Sequence, residues 1–333
     1  MAERRIGQLS FADSLVADAS PGNATLKRIA ELVDWKEIAG LLAGLRSGPI
    51  GAPGYPALAL FKALLLQQFY GLSDPQLEES LADRLSFRHF VGFSLTDDVP
   101  DHSTIWRFRE HLAKSGLAER AFALITSQIE RSGFVLKRGT LIDASLVPAA
   151  VNAPPPPSTP LPPDPDGRAA SKLVKNPLDP DAAWTKKEGK YSFGYKAHVG
   201  MDKGSRIVRR ALFTAANVND TVPADQLICG DEQTAYADKA YDSLARRARL
   251  KALGIRNGIA HRGHWRIPMS PWAVRRNELI SHARAPIEPL FALLKNTYRF
   301  SRARYRGLAR NAGAFYLAIT AMNLRRWRIL HPA

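Results

Sequence analysis

A repeated switch between short apolar segments and amphipathic ones, beginning at Gly139, constrains the fold of this 333-residue chain more than any other feature. Residues 140–147, TLIDASLV, are typical of a buried strand. Residues 191–199 and 207–213 alternate like the two strands of a hairpin around the turn at 202–205. The later segments predict a helix near 222–228, a strand at 234–238, a helix at 244–252, a strand at 255–260 and a long helix at 273–298.

This order of elements indicates an α/β domain with a mixed five-stranded sheet and flanking helices, as in the ribonuclease H-like fold. In that fold, carboxylates gather at the ends of the first and fourth strands and on the late helix. We place this domain at residues 131–333, with a last helix at 309–327. A proline-rich stretch at 153–167 cannot form a core and is expected to be an exposed, extended loop.

Residues 1–130 are predicted to form an all-helical domain. One helix covers 55–70, and Asp74 is expected to cap the next one, with Pro75 at its first position. A third helix begins near Asp101 and is rich in arginine. The second and third helices, joined by a turn, suggest a helix-turn-helix.

The charge balance indicates a polyanionic partner. The chain has 47 Lys and Arg against 31 Asp and Glu, a net charge of +16, and its pI is about 10.1. Nucleic acid is the simplest partner for such a chain, and membrane phosphates are a rival. We expect Arg107 and Arg109 of the third helix to contact DNA; the alternative is an ordinary helical bundle with an exposed basic face.

The sequence also bears on the compartment. Cys229 is the single cysteine, so no intrachain disulfide can form and no Cys/His zinc pattern exists, which fits a reducing cytosol. The N-terminus lacks a signal-peptide pattern, and no apolar run reaches the ~18 residues that a membrane span needs. We therefore expect a cytoplasmic protein without a membrane partner.

Two aspartates occupy strand positions where a carboxylate is costly. Asp143 lies inside the first apolar strand, and Asp238 closes the strand TAYAD. A buried, unpaired carboxylate costs several kcal/mol, so each needs a cation, a basic partner or a hydrogen-bond network. For either residue alone, a salt bridge to Arg or Lys is the simpler interpretation.

A third carboxylate, Glu288, lies in the late helical region. On a regular helix Ser281, Arg284, Glu288 and Lys295 fall on one stripe, beside an apolar stripe that can pack on a sheet. The simpler alternative is a solvated Arg–Glu pair at i,i+4 spacing.

Together the three acids suit phosphodiester chemistry. That chemistry uses two hard cations held by oxygen ligands, about 3.5–4 Å apart. Asp143, Asp238 and Glu288 could hold such a pair from three separate elements. Arg284 would then bind phosphate as a bidentate fork and Lys295 as a point charge.

Several motifs of the sequence resemble those of a known family. Arg284, Glu288 and Lys295 match the R-x3-E-x6-K part of the Y-x2-R-x3-E-x6-K signature of insertion-sequence DDE transposases. The segments IDASLV, YSFGYKAHVG, ADKAYDS and DHSTIWRFR resemble insertion sequence family five, and the similarity spans nearly the whole chain.

The resemblance implies an enzyme that cuts and joins DNA at the terminal inverted repeats of a mobile element. Asp143, Asp238 and Glu288 would be both the catalytic acids and the ligands of two Mg²⁺ ions, with Mn²⁺ as a substitute. The substrates would be double-stranded element ends and target DNA, in the bacterial cytoplasm at the nucleoid. Because two ends must be joined in concert, we expect a homodimer on DNA.

The sequence departs from this signature at two points. Ser281 stands where the signature has tyrosine, so a phenol contact is missing. Pro286 and Pro289 flank Glu288, and an interior proline disfavours a regular helix, so a helix could begin near Pro286 and leave Arg284 in the preceding loop. An inactive element copy is therefore one alternative.

Other residues are secondary candidates. His198 could approach the metal site, although a histidine packed in the sheet is the simpler interpretation. Lys239, directly after the second acid, is expected to contact DNA. A cluster of histidine, arginine and tryptophan, with Trp265 as a base-stacking candidate, could equally be a surface loop. Its members are His261, Arg262, His264, Trp265 and Arg266.

Two other functional classes remain open on sequence alone. A non-catalytic DNA-binding protein would bind element ends without metal and would not cut them. A structure-specific nuclease of the same fold would cut branched DNA without joining ends.

Overall fold

The structure is a computed structural model that describes residues 4–8, 23–45, 54–154, 176–187, 189–263 and 268–331. The proline-rich stretch, apart from its first two residues, and residues 264–267, which include Trp265, lie outside this part of the chain. Contacts between Cα atoms divide the chain into a helical unit, Met1–Arg131 with Tyr316–Ala333, and a second unit, Ser132–Phe315. No helix within the described residues is long and apolar enough to cross a membrane.

The helical unit consists of short helices around an apolar core that includes Phe61, Leu64 and Leu65. Side chains of Asn23, Asp34, Ser73 and Asp101 cap its helices. Its helices are α1 (Ala24–Leu32), α2 (Trp35–Leu42), α3 (Ala57–Tyr70), α4 (Asp74–Asp83), α5 (Leu85–Val91), α6 (His102–Lys114) and α7 (Leu117–Arg131).

Two details of this unit differ from the sequence prediction. Ser73, not Asp74, caps α4, in a capping box with Gln76. A further helix, α5, lies between α4 and α6, so the two helices expected to form a helix-turn-helix are not joined by a single turn. Arg88 at the end of α5 binds the backbone oxygens of Ser94 and Asp97, which fixes the connection to α6.

The second unit is built on a sheet with helices on both faces. Its strands are β1 (Thr140–Pro148), β2 (Ala183–Lys187), β3 (Lys190–Asp202), β4 (Val208–Ala215), β5 (Thr234–Ala237) and β6 (Arg256–Ile259). Its helices are α8 (Thr221–Ala224), a 3₁₀ turn (Lys239–Tyr241), α9 (Leu244–Ala252), α10 (Pro271–Arg284) and α11 (Ile287–Asn296); α12 (Leu308–Leu330) follows.

The sheet is mixed and has six strands instead of the five predicted. The strand order is β2-β3-β1-β5-β6, and β4 also pairs with β3. Strand β3 runs antiparallel to β1, β2 and β4, whereas β1, β5 and β6 run parallel. The additional strand, β2, pairs only with the first residues of β3, Lys190 to Gly194. Strand β1 ends opposite Gly194, so this part of β3 lies beyond the end of β1.

The two faces of the sheet have different neighbours. Ile142 belongs to a core cluster with Tyr241 of the 3₁₀ turn and with Leu250 of α9. Asp143 points to the other face together with its cross-strand partner Val199, because successive strand residues alternate between faces. On this second face Phe213 packs against two phenylalanines that follow α11, at centroid distances of 5.9 and 5.4 Å. Those residues are Phe300 and Phe315.

The long helix predicted for residues 273–298 is divided in two. Helix α10 ends at Arg284 and α11 begins at Ile287. Pro286 removes a backbone donor at the break, yet Ala285 and Pro286 both keep right-handed helical dihedral angles.

His198 is fully buried in the sheet, on the face opposite Asp143. Its Nε2 atom lies 2.9 Å from the Thr214 hydroxyl, and its Nδ1 atom has no hydrogen-bond partner in the described part of the chain. Burial lowers the pKa of His198 to about 4, although the charge of Asp220 acts in the opposite direction. The buried-sheet interpretation of this residue fits its position, and an approach to the metal site does not.

We predict that His198 gives stability a specific pH dependence. Its folded pKa lies below the ordinary value of 6.5, so the unfolded chain takes up the proton first as the pH falls. The contribution is complete above pH 6.5 and is lost towards pH 4, with a decrease on the order of 3 kcal/mol. Urea unfolding across this range should show the decrease in wild type and a flatter profile in His198→Gln. Parallel profiles for the two proteins would contradict the prediction.

Candidate active site

Asp143 provides the first carboxylate of the site, in the middle of β1. Its side chain is 28 % exposed, and its Oδ1 atom accepts a hydrogen bond of 2.8 Å from the backbone of Ala144. Burial raises the pKa of Asp143, and the negative charge of Asp238 adds to this effect, while the Ala144 hydrogen bond and Arg284 oppose it. A cation placed beside Asp143 would therefore be favoured.

Asp238 provides the second carboxylate, directly after β5. Strand β5 pairs in parallel with β1, Leu141 opposite Tyr236, so Asp238 lies level with Asp143 at neighbouring strand positions. Its Oδ1 atom accepts from the backbone of Lys239 at 2.6 Å and caps the 3₁₀ turn. The side chain is 49 % exposed, which leaves it open to solvent and to a ligand.

A single guanidinium connects the two aspartates. Arg284, the last residue of α10, has one nitrogen 3.5 Å from Asp143 Oδ2 and the other 3.9 Å from Asp238 Oδ1. Its side chain is 18 % exposed, so solvent screens the contacts only partly. This arrangement fits both the salt-bridge interpretation and the site interpretation of the two aspartates, because one cation lies between two acids.

Glu288 follows Arg284 by four residues and lies in the first turn of α11. Helix α11 packs on β1, and its buried residues Ile287 and Leu290 leave Glu288 exposed. No choice of one oxygen from each of Asp143, Asp238 and Glu288 brings all three within 4.8 Å of one another. Two of the three acids are thus brought together, and the third lies about one helical turn from the arginine that joins them.

These residues fit a site for divalent cations. Carboxylate oxygens are the ligands that hard cations prefer, and the position between Asp143 and Asp238 already accepts the positive charge of Arg284. Asp238 and Glu288 are accessible, so a ligand could reach them.

The remaining basic residues predicted at the site have different settings. Lys239 is exposed beside Asp238, and Lys295 is half-buried in the last turn of α11. Ser281, which stands at the signature tyrosine position, is exposed on α10. His261 lies 6.1 Å from the ring of Trp272, measured between centroids, and Arg262 is exposed next to it.

Arg109 does not fit its predicted role in DNA binding. It is 5 % exposed, and its two terminal nitrogens bind the two oxygens of Asp74 at 2.6 and 2.7 Å. Burial alone would raise the pKa of Asp74, but the hydrogen bonds and the charge of Arg109, together with Gln67 and His102, outweigh it, and the pKa lies below its usual value. Arg107, in contrast, is exposed beside Trp106, which is 48 % exposed.

A second group of potential ligands is already occupied by protein contacts. Atoms of Cys229, Asp231 and Glu232 lie within 4.8 Å of one another. Arg209 binds both oxygens of Asp231, and Glu232 accepts from the backbone of Cys229 and Gly230. This group is therefore a structural turn.

Strand β2 and its pairing with the start of β3 were not predicted, although the strand at residues 191–199 was. The segment AWTKKEGKYSF alternates aromatic and polar residues on both sides of Gly189. That pattern is typical of a hairpin with a two-residue loop. The pattern could therefore have been recognised from sequence.

Asp143 within β1 and Asp238 directly after the neighbouring parallel strand β5, bridged by one arginine, form a carboxylate site of the kind that metal-dependent enzymes acting on phosphate esters use. Comparison with protein families identifies the class further. A family model described as Transposase DDE domain matches residues 136–324, and one described as Transposase domain (DUF772) matches residues 15–111. No solved structure matches the chain.

The chain belongs to the transposase DDE domain family. It is a transposase, an enzyme that binds DNA, cleaves it and transfers strands with the help of divalent metal ions. The resemblance drawn from the residues around Asp143, Asp238 and Glu288 is confirmed at this level.

Separate alanine substitutions should distinguish the buried arginine of α6 from the exposed one. We expect Arg109→Ala to lower the free energy of unfolding by about 2 kcal/mol, because Asp74 loses its partner while largely buried. Arg107→Ala should change it by less than about 0.5 kcal/mol. Denaturant unfolding measures both values. Equal effects of the two substitutions would contradict the assignment of Arg109 to the core.

Proposed function

We propose that this transposase binds the terminal inverted repeats of an insertion sequence of family five and uses Asp143, Asp238 and Glu288 as its catalytic acids. The observation that supports this most strongly is the sharing of one guanidinium by two carboxylates at level positions of adjacent parallel strands. The strand order β4-β3-β1-β5-β6 supports a ribonuclease H-like fold, with β2 as an addition.

In the proposed site Asp143, Asp238 and Glu288 would hold two Mg²⁺ ions, or Mn²⁺ in their place. When bound, such ions activate the attacking water or 3′-hydroxyl and stabilise the leaving oxygen. Strand β1 fixes Asp143, and the Lys239 amide orients Asp238. Arg284 balances the charge of both aspartates, and its planar fork can also bind a phosphate.

Lys239 and Lys295 are proposed to contact the DNA phosphates on either side of the acids. Lys239 directly follows Asp238, and Lys295 lies two turns after Glu288 on α11. Both would act as point charges that position the strand.

The helical unit is proposed to recognise the element ends. Helix α6 buries one face through Ile105, Phe108 and Leu112 and exposes Trp106 and Arg107 on the other. An exposed aromatic and basic helix face can contact DNA bases and phosphates. Because two ends must react in concert, we propose that the enzyme acts as a homodimer on DNA at the bacterial nucleoid.

The acids can be tested by conservative substitution. We expect Asp143→Asn, Asp238→Asn and Glu288→Gln each to reduce Mg²⁺-dependent cleavage of element-end DNA by at least about a hundredfold, because each loses a charged ligand. Binding to the same DNA without metal should change less than about threefold, since these carboxylates are not phosphate contacts. Glu278→Gln, an exposed acid on α10 paired with Arg275, is the matched control.

Three results would contradict this proposal. Full activity in one substituted protein would remove that acid from the site. Wild-type protein that binds element ends but cleaves none in Mg²⁺ or Mn²⁺ would indicate a non-catalytic or inactive copy. Cleavage of branched DNA without joining of ends would indicate a nuclease.

A further inference from the structure

The positive charge of this protein lies in the second unit. Residues 1–131 contain 14 Lys and Arg against 16 Asp and Glu, and residues 132–315 contain 30 against 15. The helical unit before α12 is thus slightly acidic. Since phosphate contacts dominate the affinity of proteins for DNA, most of the backbone of a bound duplex should be held by the second unit.

One basic feature of the second unit is the hairpin formed by β2 (Ala183–Lys187) and the first residues of β3 (190–194), here called the β2–β3 hairpin. Lys187 lies directly opposite Lys190 at its tip, and Lys186 lies opposite Tyr191. All three lysines are exposed. Neither Lys187 nor Lys190 has an ion pair with a carboxylate in the described part of the chain.

This arrangement is unfavourable for the free protein. Like charges directly opposite each other destabilise a pair of strands. Lys186 lies over the ring of Tyr191, with its Nζ atom 4.9 Å from the centroid, and Tyr191 is 39 % exposed. An anion bound at the tip would relieve the repulsion between Lys187 and Lys190.

The β2–β3 hairpin is anchored at its base. Strand β3 leaves its partner β1 at Gly194, where φ is +155° and a Cβ atom would lie 2.3 Å from the Val147 oxygen. Before β2, the Asp179 carboxylate accepts a hydrogen bond from the Tyr195 hydroxyl. Tyr195 lies on the face of the sheet that carries Asp143, so the segment that leads into the hairpin covers that face.

The tip also acts on the site electrostatically. Although burial raises the pKa of Asp143, the positive charge of Lys187 is one of the influences that lower it. The tip of the hairpin is therefore within electrostatic reach of the first catalytic acid.

We propose that the β2–β3 hairpin is a DNA-binding arm that holds the phosphate backbone beside Asp143 and Asp238 through Lys186, Lys187 and Lys190. The inference rests on the proposed position of the reacting phosphate at those two aspartates. Element-end DNA and target DNA share the same phosphate chemistry, and both pass this site during strand transfer.

The test compares Lys187→Ala/Lys190→Ala with Lys251→Ala/Arg256→Ala. The control pair is exposed and carries the same charge, but it lies at the end of α9 and the start of β6, at the opposite ends of the strands from the acids. DNA affinity is measured by fluorescence anisotropy without divalent metal, so a failure of the catalytic assignment does not affect the readout. Thermal unfolding checks that both variants fold.

Each lost phosphate contact should reduce the slope of log affinity against log salt by about 0.9, so the arm variant should lose about 1.8. We expect a loss of affinity of roughly tenfold near 0.1 M salt, and little change in the control. Separate titrations with element-end duplex and with unrelated duplex assign the contact: a loss for one alone identifies that DNA, and an equal loss indicates that the arm holds both.

Hydrogen exchange of the wild-type protein provides an independent readout. Backbone amides of residues 183–194 should exchange more slowly when DNA is bound. Unchanged affinity and salt slope in the arm variant relative to the control, or unchanged exchange of the hairpin on DNA binding, would overturn the proposal.

Discussion

The site depends on electrostatic compensation between two carboxylates and one guanidinium. Asp143 is fixed within a strand and cannot move away from Asp238, which β5 places level with it. Their mutual repulsion and the burial of Asp143 both favour a positive charge between them, and Arg284 supplies it. The same requirement makes the position suitable for divalent ions, because a cation between the two carboxylates stabilises their charged forms.

This compensation also links separate elements of the fold. Arg284 ends α10, and α11 begins three residues later, after Pro286. Helix α11 packs on β1, so Glu288 is carried on a helix that contacts the strand of Asp143. A proline that would disturb a continuous helix is acceptable at this start of a new one.

Much of the second unit could be predicted from sequence, because its strands and helices follow clear hydrophobic periodicities. Asp143 and Asp238 stood out since a carboxylate in an apolar strand is costly. The break between α10 and α11 was raised by Pro286 only as an alternative, because helical periodicity continues across that residue, and Arg284 ends α10 instead of lying in a loop. Strand β2 was missed because it is only five residues long and pairs with the start of β3 alone.

The role of Arg109 illustrates a different limit. An arginine on an amphipathic helix and an aspartate 35 residues earlier give no local sign of contact, yet Arg109 and Asp74 form a buried bidentate pair. Only tertiary packing decides whether a basic residue of α6 faces the core or the solvent. The uneven distribution of charge along the chain is visible in the sequence, but it could be assigned to two units only after the structure had defined their bounds.

The most direct test of the central claim is the position of Mn²⁺ in crystals of the protein with element-end DNA, located by anomalous scattering. The account predicts ions within coordination distance of Asp143 and Asp238, with Arg284 moved from the carboxylates to a phosphate. Ions bound elsewhere, or DNA lying on the opposite face of the sheet while Arg284 still bridges the two aspartates, would contradict it.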